Sequence, residues 1–206
     1  MKRFITLAIA AFILLTCATG ASAEFRYGPT GGVAFCHPRF KQVLFPTQDQ
    51  IGGSVGIIGE NIFPGIGIGV SIGLEYQLRR SGLDIGDREM WASQGYGHVD
   101  MNIHYVAIPL HLRWKWTRLN GLEDFVAPFI YGGPTLGIMA GHTSLRPFTF
   151  SGGDLNIDCG LGFELFRHLQ ISGGYSFGMT YAYKANILSN FSARTNFWTV
   201  RLAYLF

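Results

Sequence analysis

Beyond residue 23 this chain has no stretch with helical periodicity over three turns and no linker composition that would divide it. The first absence excludes a helical fold, and the second leaves a single domain. Its 28 glycines are followed by no helix, so none of them opens a dinucleotide-binding turn. Net charge is scarce too. Residues 1–23 hold Lys2 and Arg3 and no acid, so removing those two positive charges takes the formal charge from +3 to +1. No basic cluster remains to track a nucleic-acid backbone. Of three cysteines, only Cys36 and Cys159 lie beyond residue 23. An exported chain can oxidise such a pair, but Cys159 alternates outward with Ile157, Leu161 and Phe163, whereas Cys36 is out of phase with Val33 and Phe35. They are not expected to meet. The apolar run Phe4 to Leu15 falls short of the roughly 20 residues that a spanning helix needs.

What is present is two-residue alternation. From Ile66 to Arg79 a large apolar residue at every even position is followed by Gly67, Gly69, Ser71, Gly73, Glu75, Gln77 or Arg79. Successive strand residues point to opposite faces, so this is one strand with a greasy side and a small or charged side. A tilted strand crosses a bilayer in about 9–11 residues, whereas the average strand has about 5–6. The small, charged face suits the narrow lumen of a closed barrel whose outside touches lipid.

The N-terminus adds a compartment. Lys2 and Arg3, the apolar stretch and the ending Ala21-Ser22-Ala23 read as a secretory signal peptide over 1–23, cleaved before Glu24. A rival reading is lipoprotein processing at Cys17, although Thr16 stands where Gly, Ala or Ser is usual. At the other end Trp198, Val200, Leu202, Tyr204 and Phe206 alternate, and the final aromatics Tyr204 and Phe206 look like the assembly signal of bacterial outer-membrane barrels.

Eight alternating segments are predicted, at 26–37, 51–62, 66–79, 103–116, 125–138, 154–166, 169–180 and 195–206. Short connections at 61–65, 117–124 and 167–168 alternate with long ones at 38–50, 80–102, 139–153 and 181–194. Short periplasmic turns and long external loops are the pattern of outer-membrane barrels. The expected fold is therefore all-β: an eight-stranded antiparallel up-and-down transmembrane β-barrel over residues 24–206, with both termini in the periplasm. Aromatic girdles should mark its two interfaces. Trp114 and Trp116 share the periplasmic level with Tyr204 and Phe206, and Tyr76, Tyr105 and Trp198 are expected at the outer level. A soluble sandwich or lipocalin-like barrel would instead turn its greasy residues inward.

Three segments resemble a family of small Bacteroidetes outer-membrane barrels called PorT-like. They are Tyr105-Val106-Ala107-Ile108-Pro109-Leu110-His111-Leu112-Arg113-Trp114, then Phe125 to Pro134, then Asp158 to Glu164 with Gly174 to Gly178. The resemblance implies the barrel fold, the outer membrane and an association with type IX secretion, and it carries no catalytic signature. Ala107 stands where that family often has Glu, and Gly174 where it often has Arg. Both alternate into the lumen, and losing both charges together avoids leaving one buried and unpaired.

The inward set predicted to interlock comprises Glu60, Glu75, Asp158 and Glu164 against Arg79, His111, Arg113, Lys115 and Arg201. An eight-strand interior is just wide enough for side chains to fill. The same column read differently is a proton or small-solute path. His142-Thr143-Ser144 resembles the His-x-Ser pair of outer-membrane lipid A deacylases, but the nearest downstream acid, Glu164, falls at the opposite membrane face. Asp84, Asp87 and Glu89 match no EF-hand spacing, and His98, Asp100 and His104 form only a weak metal pattern. Met90, Trp91, Tyr96 and Met101 give the second long loop an apolar load, suited to packing over the barrel mouth or to an external partner. The reading is a monomeric, non-enzymatic barrel without cofactor, metal or nucleic-acid partner. Its partners would be outer-membrane lipid, the barrel assembly machinery and an envelope complex. Alternatives are a surface-loop binder or adhesin, a lipid A hydrolase and a narrow pore.

Overall fold

The computed structural model describes residues 24–40, 47–63, 66–84, 98–117, 121–143, 148–150, 152–181, 183–185 and 192–206. Residues 1–23, expected as a signal peptide, and Asp87, Glu89, Met90, Trp91, Tyr96 and Ser144 lie outside that set. In chain order the strands are β1 (Glu24–Phe40), β2 (Thr47–Ile62), β3 (Ile68–Asp84), β4 (His98–Lys115), β5 (Val126–His142), β6 (Phe148–Phe150), β7 (Gly153–Leu165), β8 (Leu169–Gly178), β9 (Tyr183–Ala185) and β10 (Ser192–Tyr204). Eight of them form the barrel, in the order β1-β2-β3-β4-β5-β7-β8-β10, every pair antiparallel. The ladder from Thr30↔Ala203 to Phe40↔Ala193 closes β10 back onto β1. Closure leaves no sheet edge, which is what a strand structure needs in hydrocarbon. The short strands β6 and β9 pair with each other, and β9 with the start of β10, extending the wall at the long-loop end.

The outward face is apolar where lipid would lie. On β3 it runs from Ile68 to Leu78, about 33 Å along the strand and roughly 25 Å along the axis at the usual tilt, which matches the belt of an outer-membrane barrel. Beyond it the outward positions turn polar: His37 pairs with Asp49 at 2.5 Å, and Arg80 Nε donates to Asn102 at 3.1 Å. This change explains the main departure from the predicted boundaries. β2 starts at Thr47, β3 continues to Asp84, β4 starts at His98 and β5 reaches His142, because the backbone ladder outlives the greasy-polar alternation. Met101, expected in a loop, is a fully buried strand residue.

At the other end the connections are tight. Gly67, with φ +75°, lets the β2–β3 turn pass so close to β4 that a Cβ would sit 2.0 Å from the Lys115 carbonyl oxygen. The β7–β8 turn uses Phe166 and Arg167 with φ +52° and +62°. Hydrogen bonds from Phe166 N to Phe125 O (3.0 Å) and from His168 N to Leu165 O (3.2 Å) hold that costly conformation.

One girdle assignment is overturned. Tyr105 points into the lumen with 0 % exposure, because it shares the parity of Ala107, Pro109 and His111. The outward group at that level is its neighbour His104, whose Nδ1 lies 2.5 Å from the Tyr76 hydroxyl. Tyr76 and Trp198 do face outward, the latter against Tyr175 with ring centroids 4.8 Å apart. At the short-turn end Trp114 and Trp116 stack at 4.4 Å, and Tyr204 meets Phe206 at 5.1 Å.

Candidate functional site

The lumen holds charge in three storeys. Nearest the short turns, the Arg26 guanidinium grips Glu164 with two prongs, Nη1 to Oε1 at 3.0 Å and Nη2 to Oε2 at 2.8 Å, while Nη2 also donates to Glu60. Arg113 donates to Glu60 Oε2 and to Gln170 Oε1, both at 2.7 Å, and Lys115 donates to Glu164. Gln170 Nε2 then reaches Glu60 at 2.9 Å and Glu164 at 2.8 Å. Charge-assisted and forked contacts of this kind are the strongest that side chains make.

In the middle storey Asp158 accepts from Thr135 at 2.7 Å and lies 3.2 Å from His111 Nε2. Arg201 lies between Asp158 and Glu75, at 3.7 and 3.8 Å. Arg201 runs over Gly32: its Cγ stands 3.0 Å from where a Cβ would be. A glycine on the inner face of β1 therefore makes room for a side chain arriving from β10. In the upper storey Arg79 pairs with Asp154, takes Gln77 Oε1 at 2.9 Å, and lies over the rings of Tyr105 (4.4 Å) and Phe197 (4.5 Å). The guanidinium thus meets two aromatic quadrupoles.

Among the described inward residues the bases Arg26, Arg79, Arg113, Lys115 and Arg201 match the acids Glu60, Glu75, Asp154, Asp158 and Glu164 in number. Unpaired, any one of them would carry a large desolvation cost. Apolar side chains pack beside the charges at both ends of the column. Met101, Ile103 and Phe197 are buried at the long-loop end, and Ile62, Ala127 and Leu205 at the short-turn end.

All nine residues proposed from sequence for the lumen face inward, and the structure brings them together across strands distant in sequence. Gln77, on the charged face of the 66–79 segment, joins them, whereas Arg26, Asp154 and Gln170 were missed. Arg26 and Asp154 sit at the first inward rungs of β1 and β7, where strand boundaries are least legible, yet each shares the parity of its inward neighbours Thr30 and Asp158. Near the two positions that depart from the PorT-like pattern, Ala107 is the cross-strand partner of Glu75, and Gly174 pairs with Thr199, two residues before Arg201. The space at Gly174 is taken by the Tyr131 hydroxyl, 2.2 Å from a would-be Cβ.

Among the described residues the remaining chemical candidates do not assemble. His142 is exposed at the end of β5 with Nδ1 3.2 Å from the Thr143 carbonyl oxygen, while Glu164 is locked among Arg26, Lys115 and Gln170 in the storey nearest the short turns. Asp100 accepts from Gln50 while His104 meets Tyr76, so those two serve different partners. Cys36 is buried with Ala34 and Phe197, Cys159 is exposed on the outward face, and both are free thiols.

The barrel is similar in fold to OprG of Pseudomonas aeruginosa, at 12% identity over 89% of this chain and 97% of that one, with a TM-score of 0.51. It also matches Ail of Yersinia pestis, solved with the heparin analogue sucrose octasulfate, at 15% identity, 89% and 99% coverage and a TM-score of 0.47. The neisserial surface protein NspA matches at 14% identity, 88% and 98% coverage and a TM-score of 0.41. No curated protein matches the sequence. The family described as outer membrane protein beta-barrel domain matches residues 18–183. An eight-stranded closed wall with an apolar belt, together with that match over most of its length, means that this chain belongs to the outer membrane protein beta-barrel domain family and is a barrel of the bacterial outer membrane.

Proposed function

We propose that the protein is a non-enzymatic barrel with a sealed lumen, cleaved after Ala23, with its termini and short turns in the periplasm and its long-loop end outside. It serves an envelope complex as a structural or secretion-accessory component. The observation that carries this reading is the interlocked column of five bases and five acids, packed among buried apolar side chains, which fills the space that a channel or a catalytic pocket would need. The likeness of the Ile108-Pro109-Leu110 strand and of the segments after it to PorT-like barrels supports the type IX-like context. Tyr204 and Phe206 at the end of the last strand support handover to the barrel assembly machinery.

A second reading has its own support. Strands of 16–18 residues exceed what the bilayer needs, and the outward face beyond the belt is polar, as a surface binder or adhesin would present. Deleting the gene separates the two. An altered set of secreted proteins with unchanged small-solute permeability fits the accessory role, and an unchanged set would leave the binder. An epitope tag inserted near residue 89 should be reached by antibody on intact cells; inaccessibility there, with a tag near residue 119 exposed, would reverse the orientation.

A further inference from the structure

The outward wall carries a groove of about 530 Å³ in its short-turn half. Phe25 and Tyr27 of β1 form one side, Ile72 and Leu74 of β3 the other, and Ile57 and Gly59 of β2 the floor. Its origin is local: one rung reads Tyr27–Gly59–Ile72, so two large side chains flank a position with none. Phe206 closes the short-turn end, its ring 6.4 Å from Tyr27, which in turn stacks 6.2 Å from Phe25.

We propose that this groove holds one acyl chain of a membrane phospholipid. It is continuous with the lipid-facing belt, and its side walls are exposed Phe25, Tyr27, Ile72 and Leu74. The lining offers no charged side chain to a head group, an ion or a polar peptide. Eleven residues line it, against the roughly 20–30 a side that a stable interface between proteins uses, so a second copy is too large an occupant. The Phe25 ring leans over Gly59, and the rest of the hollow, left unfilled, would forfeit dispersion contacts that a narrow flexible chain restores. The choice of phospholipid over lipid A rests on the proposed orientation, which puts the groove in the periplasmic leaflet.

Native mass spectrometry of the full chain, released from micelles containing dioleoyl phosphatidylglycerol, tests this. The expected species is a monomer retaining one phospholipid. Gly59→Leu, which fills the floor with only the movable Phe25 ring 3.2–3.4 Å away, should lower retention about tenfold. Cys159→Leu, outward on β7, should leave it unchanged. If Gly59→Leu does not fold, Leu74→Trp fills the same space from the opposite side and should give the same loss. Equal retention by the filled variants overturns the proposal. So does absence of retained phospholipid in the wild type, preferential retention of purified lipid A, or a dimer that filling the groove dissociates. The tag-accessibility measurement reads orientation independently, so an inverted barrel is distinguishable from an empty groove.

Discussion

Arg26 and Glu164 stand 138 residues apart in the chain, yet inside the barrel they form a two-pronged ion pair at 3.0 and 2.8 Å. Arg26 Nη1 also donates to the Arg167 carbonyl oxygen at 2.5 Å, tying the left-handed β7–β8 turn to the plug. One buried acid therefore organises the first strand, the fourth through Lys115, and the turn at which the chain reverses between β7 and β8.

Removing that acid should be expensive. Glu164→Gln leaves Lys115 without its carboxylate and Arg26 with only Glu60, and breaking a buried pair from one side costs about 3–5 kcal/mol. Urea unfolding in micelles, followed by gel mobility, should show a loss of that order. The double variant Lys115→Met/Glu164→Gln should lose less than the two single losses added. A single-variant loss below about 1 kcal/mol would mean that the storey nearest the short turns is not the interlocked network described.

Glycine at position 174 is set by an aromatic ring two strands away on the same rung, which reads Tyr131–Gly160–Gly174. A methyl group there would lie 2.2 Å from the Tyr131 hydroxyl and 2.8 Å from the Cys159 carbonyl oxygen. Gly174→Ala should cost about 1–3 kcal/mol, as overpacking does. Tyr131→Phe in the same chain should recover part of that loss and leave the backbone share. No recovery would mean that the ring does not occupy this space.

Tyr105 and Trp198 give a matched comparison of the two faces. Tyr105→Ala empties the space beneath Arg79 and should cost about 3–5 kcal/mol. Trp198→Ala, on the lipid side, should cost clearly less, because lipid refills the site. Equal losses would place Tyr105 back on the outer girdle.

The two cysteines should report the same division by chemistry. In folded protein in vesicles a lipid-soluble maleimide should add one label, at Cys159, and Cys36 should react only after unfolding. Mass spectrometry of proteolytic fragments reads both positions, and rapid double labelling of the folded barrel would contradict the burial of Cys36.

The strand count, antiparallel order and greasy outside were legible because a two-residue period is written wherever one face meets lipid and the other does not. Legibility ended where that contrast ends. At the level of His37, Asp49, Arg80 and Asn102 the outward positions are polar while Cys36, Met101 and Ile103 face inward, so the greasy-out pattern stops and the strands run on beyond the boundaries that it marks. Tyr105 was misplaced because an aromatic near an interface was read by residue type when the parity of Ala107 and His111 already put it inside. The pairing of charges was less accessible still. That Arg26 reaches Glu164, or that Arg201 crosses Gly32 toward Glu75, depends on the stagger of the closed barrel, which no local pattern records.

Single-channel recording of the purified full-length barrel in a planar bilayer tests the sealed lumen most directly. A column of matched, interlocked charges predicts no steady conductance steps at any applied voltage that the bilayer tolerates. Reproducible open states in protein that gel mobility shows to be folded, with Glu60, Glu75, Asp158 and Glu164 and their bases intact, would contradict it.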